Sequence, residues 1–218
     1  AGRTMDSITR DVLAGGTNVI YAPKQAADGT ETAVTLRKNM NTTSQLTVKM
    51  IQKAVATLKK NNVPTFNGDY VAIIHPYVAY DLQRDPEWID AHKYAQPENL
   101  FTGEIGKVAG VRFVESTEAK VWKDSDCPQK SAGSGSDPAT YYGVFSTLVL
   151  GKNAYGVTEV TGGGLQTIVK PLGAGEDPLN QRSTVGWKGI LTAKILLEQN
   201  MVRIESVSAE WSGTVDAN

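Results

Sequence analysis

Apolar residues recur at helical spacing in two stretches of the chain. The first runs from Met5 to Leu13 and is followed by Gly15-Gly16, and glycine commonly occupies the left-handed position that ends a helix. The second runs from Gln45 to Lys60, where an apolar face lies opposite a row of lysines and a cap is expected within residues 42–44. The pattern therefore predicts two amphipathic helices, each with one buried face and one solvated face.

Short apolar runs in the first half of the chain predict strands. Thr17 to Ala22 is followed by a proline, and Tyr70 to His75 is almost continuously apolar, as in a strand covered on both faces. Pro76 to Gln83 then predicts a short helix. Asp85-Pro86 predicts the start of another, because aspartate is a good N-cap and proline suits the first helical position. This strand–helix–helix segment is predicted to be core scaffold.

The second half of the chain is richer in predicted strands. Four of them are Val111–Val114, Ala119–Trp122, Tyr141–Leu150 and Leu165–Leu172. Met201 to Val207 alternates apolar and polar residues, whereas Thr184 to Leu197 fits either a helix or a strand. Because Glu198-Gln199-Asn200 resembles a hairpin loop, we predict that these last two segments form a long antiparallel pair.

Two segments lack a regular pattern. Three glycines interrupt Gln96 to Gly110, which predicts an ordered loop. Lys123 to Ala139 consists largely of Asp, Ser, Gly, Pro and Lys, and apart from Cys127 it offers no sizeable apolar side chain to anchor it. We expect this second segment to be a mobile surface insertion.

The charge balance excludes several classes of protein. The 218 residues contain 22 Lys and Arg against 23 Asp and Glu, a formal net charge of −1, which argues against a polybasic nucleic-acid module and an acidic tail protein. No apolar run approaches the ~20 residues of a membrane helix, and no secretory signal is recognised. A single cysteine excludes an internal disulfide framework and favours an intracellular chain.

Motifs for catalysis are missing from the sequence. Only His75 and His92 are available for histidine-based chemistry, and neither has a second ligand at zinc-protease spacing. Two glycine-rich stretches begin like dinucleotide loops, but Pro138 and Pro178 occupy the third glycine position, where the backbone N–H is needed. Cys127 has no fixed base beside it. The residues thus predict no catalytic site, metal or cofactor, and favour a structural or binding role.

Several blocks of the sequence resemble the major capsid proteins of tailed double-stranded DNA phages, specifically the N-four-like head proteins. The resemblance covers most of the chain in the family's order. Its blocks are Met5–Ala22 (MDSITRDVLAGGTNVIYA), Tyr70–Ala95 (YVAIIHPYVAYDLQRDPEWIDAHKYA), Pro97–Ser116 (PENLFTGEIGKVAGVRFVES), Leu148–Gly156 (LVLGKNAYG) and Asp177–Lys188 (DPLNQRSTVGWK).

The resemblance implies an α+β architecture, the HK-ninety-seven-like capsid fold, with two discontinuous lobes. Residues 1–43 and 151–218 would form the peripheral lobe, with the end of the spine helix and long antiparallel strands. Residues 44–150 would form the axial lobe, a central sheet flanked by helices. The N-terminal arm, the extended loop and the front of the spine helix seen in family members have no counterpart here.

The resemblance further implies a self-assembling subunit of an icosahedral head that encloses double-stranded DNA without reading its sequence. Implied partners are many copies of the chain itself, with portal, scaffold and decoration proteins, and no membrane. The implied location is the virion, after assembly in the bacterial cytoplasm. Alternatives are an encapsulin-like shell of a bacterial compartment, or a small α+β hydrolase using His75 or His92 with a loop carboxylate.

On this interpretation, two clusters of residues are candidates for contacts between subunits. The first cluster, in the glycine-interrupted loop, is Glu98, Leu100, Phe101, Glu104, Ile105 and Lys107. The second cluster is Asp177, Arg182 and Trp187, since Arg bridges carboxylates bidentately and Trp often anchors interfaces. The alternatives are a loop packed on its own lobe for the first cluster, and an intrachain salt bridge with a core Trp for the second. The charges Asp6, Arg10 and Asp11 are expected to be solvated.

Overall fold

The computed structural model describes residues 2–26, 28–95, 106–131, 140–158, 164–173, 179 and 181–218, without the side chains of 91–95. It contains four α-helices, with 3-10 turns at Arg37–Asn39 and Glu198–Asn200. The helices are α1 Gly2–Ala14, α2 Val48–Lys60, α3 Pro76–Gln83 and α4 Pro86–Ala95. The strands are β1 Val19–Tyr21, β2 Lys24–Gln25, β3 Glu31–Thr32, β4 Tyr70–Ile74, β5 Lys107–Val108, β6 Val111–Glu115, β7 Val121–Trp122, β8 Gln129–Ser131, β9 Thr140–Tyr141, β10 Val144–Leu150, β11 Tyr155–Val157, β12 Gln166–Lys170, β13 Thr184–Lys188, β14 Ala193–Ile195 and β15 Met201–Val207.

A mixed seven-stranded sheet forms the centre of the molecule. Its order is β1-β15-β10-β4-β6-β5, and β7 also pairs with β10. The β1–β15 and β4–β6 pairs are parallel, whereas β10 is antiparallel to both β15 and β4. All seven residues of β10 and all seven of β15 are buried, so these two strands form the middle of the core. The architecture is α+β.

The four helices lie where the local sequence rules predicted them. The apolar face of α2 is buried and the helix packs near β15. The cap of α2 differs from the prediction: Thr47 is the N-cap residue, and Asp85 at the start of α4 accepts a hydrogen bond from Val48 N at 2.8 Å. The second Asp85 oxygen accepts from Glu87 N at 3.0 Å, so one carboxylate serves both helices. Residues 42–44 instead belong to a turn in which the Asn41 side chain accepts the bonds.

Strand β15 is more deeply buried than its alternating sequence predicted. Its polar residues Arg203 and Glu205 are tolerated because they pair: the Glu205 carboxylate accepts from Arg37 Nε at 2.7 Å, Arg37 Nη2 at 2.8 Å and Arg203 Nε at 2.9 Å. The guanidinium of Arg37 lies 3.9 Å from the ring centre of Trp122. These residues form a buried ion cluster, defined here as Arg37, Arg203 and Glu205.

The ion cluster also holds the end of α1. Arg203 Nη1 donates to the carbonyls of Ala14 and Gly16, which have no partner within the helix. A cation at the carbonyl end of a helix is favourable on electrostatic grounds. The cluster therefore joins α1, the Arg37 turn and the central sheet.

The predicted pairing of the last two segments is wrong. β15 does not pair with any part of Thr184–Leu197; it lies between β1 and β10 in the central sheet. Strand β13 pairs with β12, and β14 pairs with β11, while residues 198–200 form a 3-10 turn in place of a hairpin loop. Alternation showed that 201–207 is a strand, but burial and long-range hydrogen bonds determine its neighbours.

The expectation that nothing anchors Lys123–Ala139 is wrong for residues 123–131. Cys127 is buried within the main core, and Lys123 Nζ donates to Val215 O at 2.7 Å. Strand β8 pairs with β9. A small apolar side chain and a few long-range bonds are therefore enough to hold a polar segment on the core. Residues 132–139 lie outside the described residues.

The buried ion cluster gives a direct test of what holds the central sheet together. We expect Glu205→Gln to lower the free energy of unfolding by about 3 kcal/mol, because the buried Arg203 and the partly buried Arg37 lose the carboxylate that both of them contact. Urea unfolding followed by circular dichroism measures this change. The control is Glu115→Gln at the exposed end of β6, expected to change stability by less than about 0.5 kcal/mol. A loss below about 1 kcal/mol for Glu205→Gln would contradict the role assigned to the cluster.

Candidate interaction surfaces

Two antiparallel strand pairs, β11–β14 and β12–β13, form an arm, which is defined here by the residues of these four strands. At its root β11 pairs with β14, with Tyr155 opposite Ile195, and farther out β12 pairs with β13. The root packs near α1. All ten residues of β12 and β13 are exposed, so none of the described residues covers either face of the outer part of the arm.

The two faces of the outer arm differ in chemistry. Residues directly opposite in an antiparallel pair share a face, and Val169 lies opposite Val185 while Thr167 lies opposite Trp187. The exposed fractions of Val169, Val185 and Trp187 are 62%, 73% and 49%. We call this side of β12–β13 the apolar face; the other side carries Lys170 and Lys188.

An isolated two-stranded ribbon is marginally stable in water, and exposed apolar patches usually mark contact surfaces. The apolar face therefore has the character of a surface that is covered in an assembly. The sequence predicted a strand near Leu165–Leu172 but did not identify the face. The available signal was the pairing of Val169 with Val185, which is visible only once the register is known.

The second cluster of predicted contact residues lies on this arm. Trp187 is half exposed on the apolar face rather than part of the core. Arg182 is exposed and lies just before β13, on the same segment as Trp187. Asp177 lies outside the described residues. The structure thus brings Arg182 and Trp187 onto one element, and their role at a contact stays a prediction.

Of the first predicted cluster, only Lys107 is among the described residues. It lies in β5 at the end of the central sheet, with its Nζ 2.5 Å from Asp69 Oδ1 and its side chain largely exposed. Such a pair at the surface contributes little to stability. The other members, Glu98, Leu100, Phe101, Glu104 and Ile105, lie outside the described residues.

The expectation that the charges of α1 are solvated is wrong for Arg10. Its side chain is mostly buried, pairs with Asp11 at 2.9 Å and donates to Glu118 O at 3.1 Å. Asp11 also contacts Lys120 at 3.1 Å. Burial alone would raise the pKa of Asp11, but the hydrogen bonds from Lys120 and Arg10 hold it below its ordinary value. These pairs fasten the middle of α1 to the loop after β6.

Beneath α1 lies an open groove of about 580 Å³. It is lined mainly by apolar side chains, including Met5, Leu13, Ile73, Val114, Leu148 and Val157. Among the described residues no histidine lines it. Among the described side chains, the groove therefore offers no histidine to pair with its carboxylates, as the hydrolase alternative requires.

The two described side chains that were considered for catalysis, His75 and Cys127, each have a role in the packing or capping of the fold. His75 is the N-cap residue of α3, with its Nδ1 accepting from Tyr77 N at 3.2 Å, and burial lowers its pKa so that it stays neutral. Burial raises the pKa of the Cys127 thiol to about 12. Within the described ranges, no three His, Cys, Asp or Glu side chains are grouped to hold a metal ion. In the same part of the chain, no helix has both the length and the apolar character needed to cross a membrane.

Comparison with solved structures identifies the class of fold. The capsid of cyanophage P-SCSP1u superimposes with a TM-score of 0.62 at 17% identity, covering 94% of this chain and 62% of that one. The acid-stable capsid of Helicobacter pylori bacteriophage KHP30 gives 0.60 at 12% identity, with 94% and 66% covered. The SrpI encapsulin complex of Synechococcus elongatus gives 0.52 at 11% identity, with 99% and 64% covered. The chain thus has the HK-ninety-seven-like fold and spans about three fifths of the capsid chains it matches.

Sequence comparison narrows this class to a family. The model of the phage capsid protein family matches residues 2–182. The chain therefore belongs to the phage capsid protein family, which is a family of structural proteins. A comparison with curated proteins gave no match.

The environment of Cys127 gives a second test. In the folded chain at pH 8, we expect its thiol to react with a disulfide reagent at least about a hundredfold more slowly than in urea, because it is buried and almost entirely protonated. A matched control is Asp126→Cys in a Cys127→Ala background, which places a thiol at the exposed neighbouring position and should react rapidly. Equal rates at positions 126 and 127 would contradict the anchoring of this segment.

Proposed function

We propose that this chain is the shell-forming part of a major capsid protein, which assembles in many copies into the icosahedral head around the double-stranded DNA of a tailed phage. Membership of the phage capsid family and the fold support the proposal. The observation that carries it is the apolar face of the arm, which is exposed in the single chain. A closed shell needs repeated contacts of this kind between identical subunits.

The arm supplies one contact surface in this proposal. Trp187 would anchor the contact, with Arg182 and Asp177 at its polar edge, since a large aromatic side chain surrounded by polar groups is typical of interface centres. The loop residues would supply a second surface. They are Glu98, Leu100, Phe101, Glu104, Ile105 and Lys107.

The division into lobes remains a proposal, with one refinement. The expected lobe boundaries fall after residues 43 and 150. They would place β1 and β15 in one lobe and β4 and β10 in the other, although all four strands belong to one sheet. This hydrogen bonding supports including β1 and β15 in the axial lobe. The peripheral lobe would then consist of α1 and the arm.

The remaining partners follow from the same proposal. A shell encloses DNA without binding it tightly, which is compatible with the net charge of −1. Portal, scaffold and decoration proteins would contact the assembled shell rather than a pocket in the single chain. The protein would be a virion component assembled in the bacterial cytoplasm.

A bacterial compartment shell is the second candidate, because the SrpI encapsulin complex shares the fold. The match to the phage capsid family favours the phage head. The contents of purified particles distinguish the two. Nuclease-protected double-stranded DNA is expected for a head, whereas packaged protein without DNA would favour the compartment.

Assembly should depend on the apolar face of the arm. We expect Val185→Thr combined with Trp187→Ala to raise the protein concentration needed for particle formation at least about tenfold, because truncating a central aromatic residue removes more than 1 kcal/mol per contact. The measurement is sedimentation velocity with electron microscopy on the complete gene product.

The matched control is Ile168→Thr, which removes a similar apolar group from the opposite face of the same strands. It should assemble at close to the wild-type concentration. Circular dichroism shows whether each variant is folded. If the folded double variant assembles as readily as the wild type, the arm is not a subunit contact.

A further inference from the structure

The last residues of the chain form a strap, residues 208–218, that lies against α3. The ring of Trp211 stacks on Tyr77 at a centroid distance of 4.6 Å and an interplanar angle of 11°, and it meets Tyr80 edge-on at 4.9 Å. Tyr77 in turn meets Phe145 of β10 edge-on at 6.3 Å. Aromatic contacts therefore dock the strap on α3 and, through α3, on the core.

Hydrogen bonds close the strap into a compact turn. Ser208 N donates to Ser212 Oγ at 2.7 Å, and both Thr214 N and Val215 N donate to Trp211 O at 2.9 Å. Gly143 N, just before β10, donates to Ser212 O at 2.6 Å. Because the bond from Gly143 N to Ser212 O joins the core to the strap, the Gly143 amide reports whether the strap is docked.

A buried carboxyl group lies beneath the docked strap. Asp81 is four residues after Tyr77 on α3, so the two share a face, and its side chain is almost fully buried. Among the described residues, no donor meets hydrogen-bond geometry at Asp81 Oδ2, although the Ser208 hydroxyl on the strap lies close enough to favour the ionised form of the carboxyl. Undocking the strap would admit water to this carboxyl.

The charges around Asp81 come from both elements. Burial raises the pKa of Asp81 to about 6; the nearby Ser208 hydroxyl and Arg84 act against this rise, and Glu210 on the strap adds to it. Arg84 also lies 3.4 Å from Glu210 and 2.6 Å from the Tyr80 hydroxyl. Burial lowers the pKa of His75 at the start of α3, and Asp85 at its end is occupied by the two helix caps.

We propose that the strap is an acid-tightened clasp, in which protonation of Asp81 strengthens the docking of the Trp211 turn on α3 and ionisation weakens it. Asp81 binds its proton more tightly when the strap covers it than when water reaches it. The stabilisation is therefore complete below the ordinary pKa of 3.8 and is lost as the pH rises through about 6. This device is independent of the proposed assembly.

The effect is measurable between pH 5 and pH 7, above the range in which ordinary carboxyl groups titrate. Hydrogen exchange at the Gly143 amide in the intact protein, corrected for the intrinsic effect of pH, gives the fraction of undocked strap. We expect that fraction to be about tenfold smaller at pH 5 than at pH 7, from the two pKa values of Asp81.

Asp81→Asn keeps the shape of the side chain and removes its titration, so the tenfold difference should disappear. The matched control is Asp216→Asn, which makes the same change at an exposed position of the strap and should keep the difference. His75 is the second group of this region that titrates. Adding His75→Asn to either variant removes that titration and keeps a residue that can cap α3. Equal undocking at pH 5 and pH 7 in the wild type, or an unchanged difference in Asp81→Asn, would overturn the proposal.

Discussion

The fold depends on one buried carboxylate. Glu205 lies in the middle of a fully buried strand and is bound by two arginines, one from the same strand and one from the turn at Arg37–Asn39. Without both partners its burial would be strongly unfavourable. Because Arg203 also donates to the carbonyl of Ala14, the last residue of α1, and to that of Gly16 just beyond it, the same cluster holds the end of the helix against the sheet. The ion cluster thus links the central sheet, the end of α1 and the Arg37 turn.

The arm differs from the core because it exposes large apolar side chains. The core buries even charged side chains, whereas the outer arm exposes valine and tryptophan on a ribbon that no described residue covers. A single chain gains nothing from this arrangement, but a subunit that meets copies of itself does, because the area is buried on contact. The exposed apolar face is therefore the feature of the single chain on which our proposal of contacts between copies rests.

Local rules were enough for the helices and for part of the chemistry. The glycines after α1, Pro76 and Asp85-Pro86 each bounded a helix correctly, because caps and proline act within one or two turns. The capping role of His75 was also predictable from its place before Pro76. The same rules failed at the cap of α2, where Asp85 comes from a distant part of the chain, and at Cys127, whose burial depends on neighbours that are remote in sequence.

By itself, the sequence determined the class of fold, the helices, most strand positions and the resemblance to phage capsid proteins. These depend on periodicity, on residues adjacent in the chain and on blocks in a fixed order. Only the tertiary structure decided that β15 lies between β1 and β10, that Glu205 pairs with Arg37, and that Trp187 is exposed beside Val185. The physical reason is that strand pairing and the burial of charge depend on partners far away in the chain, and several pairings satisfy the same alternating pattern.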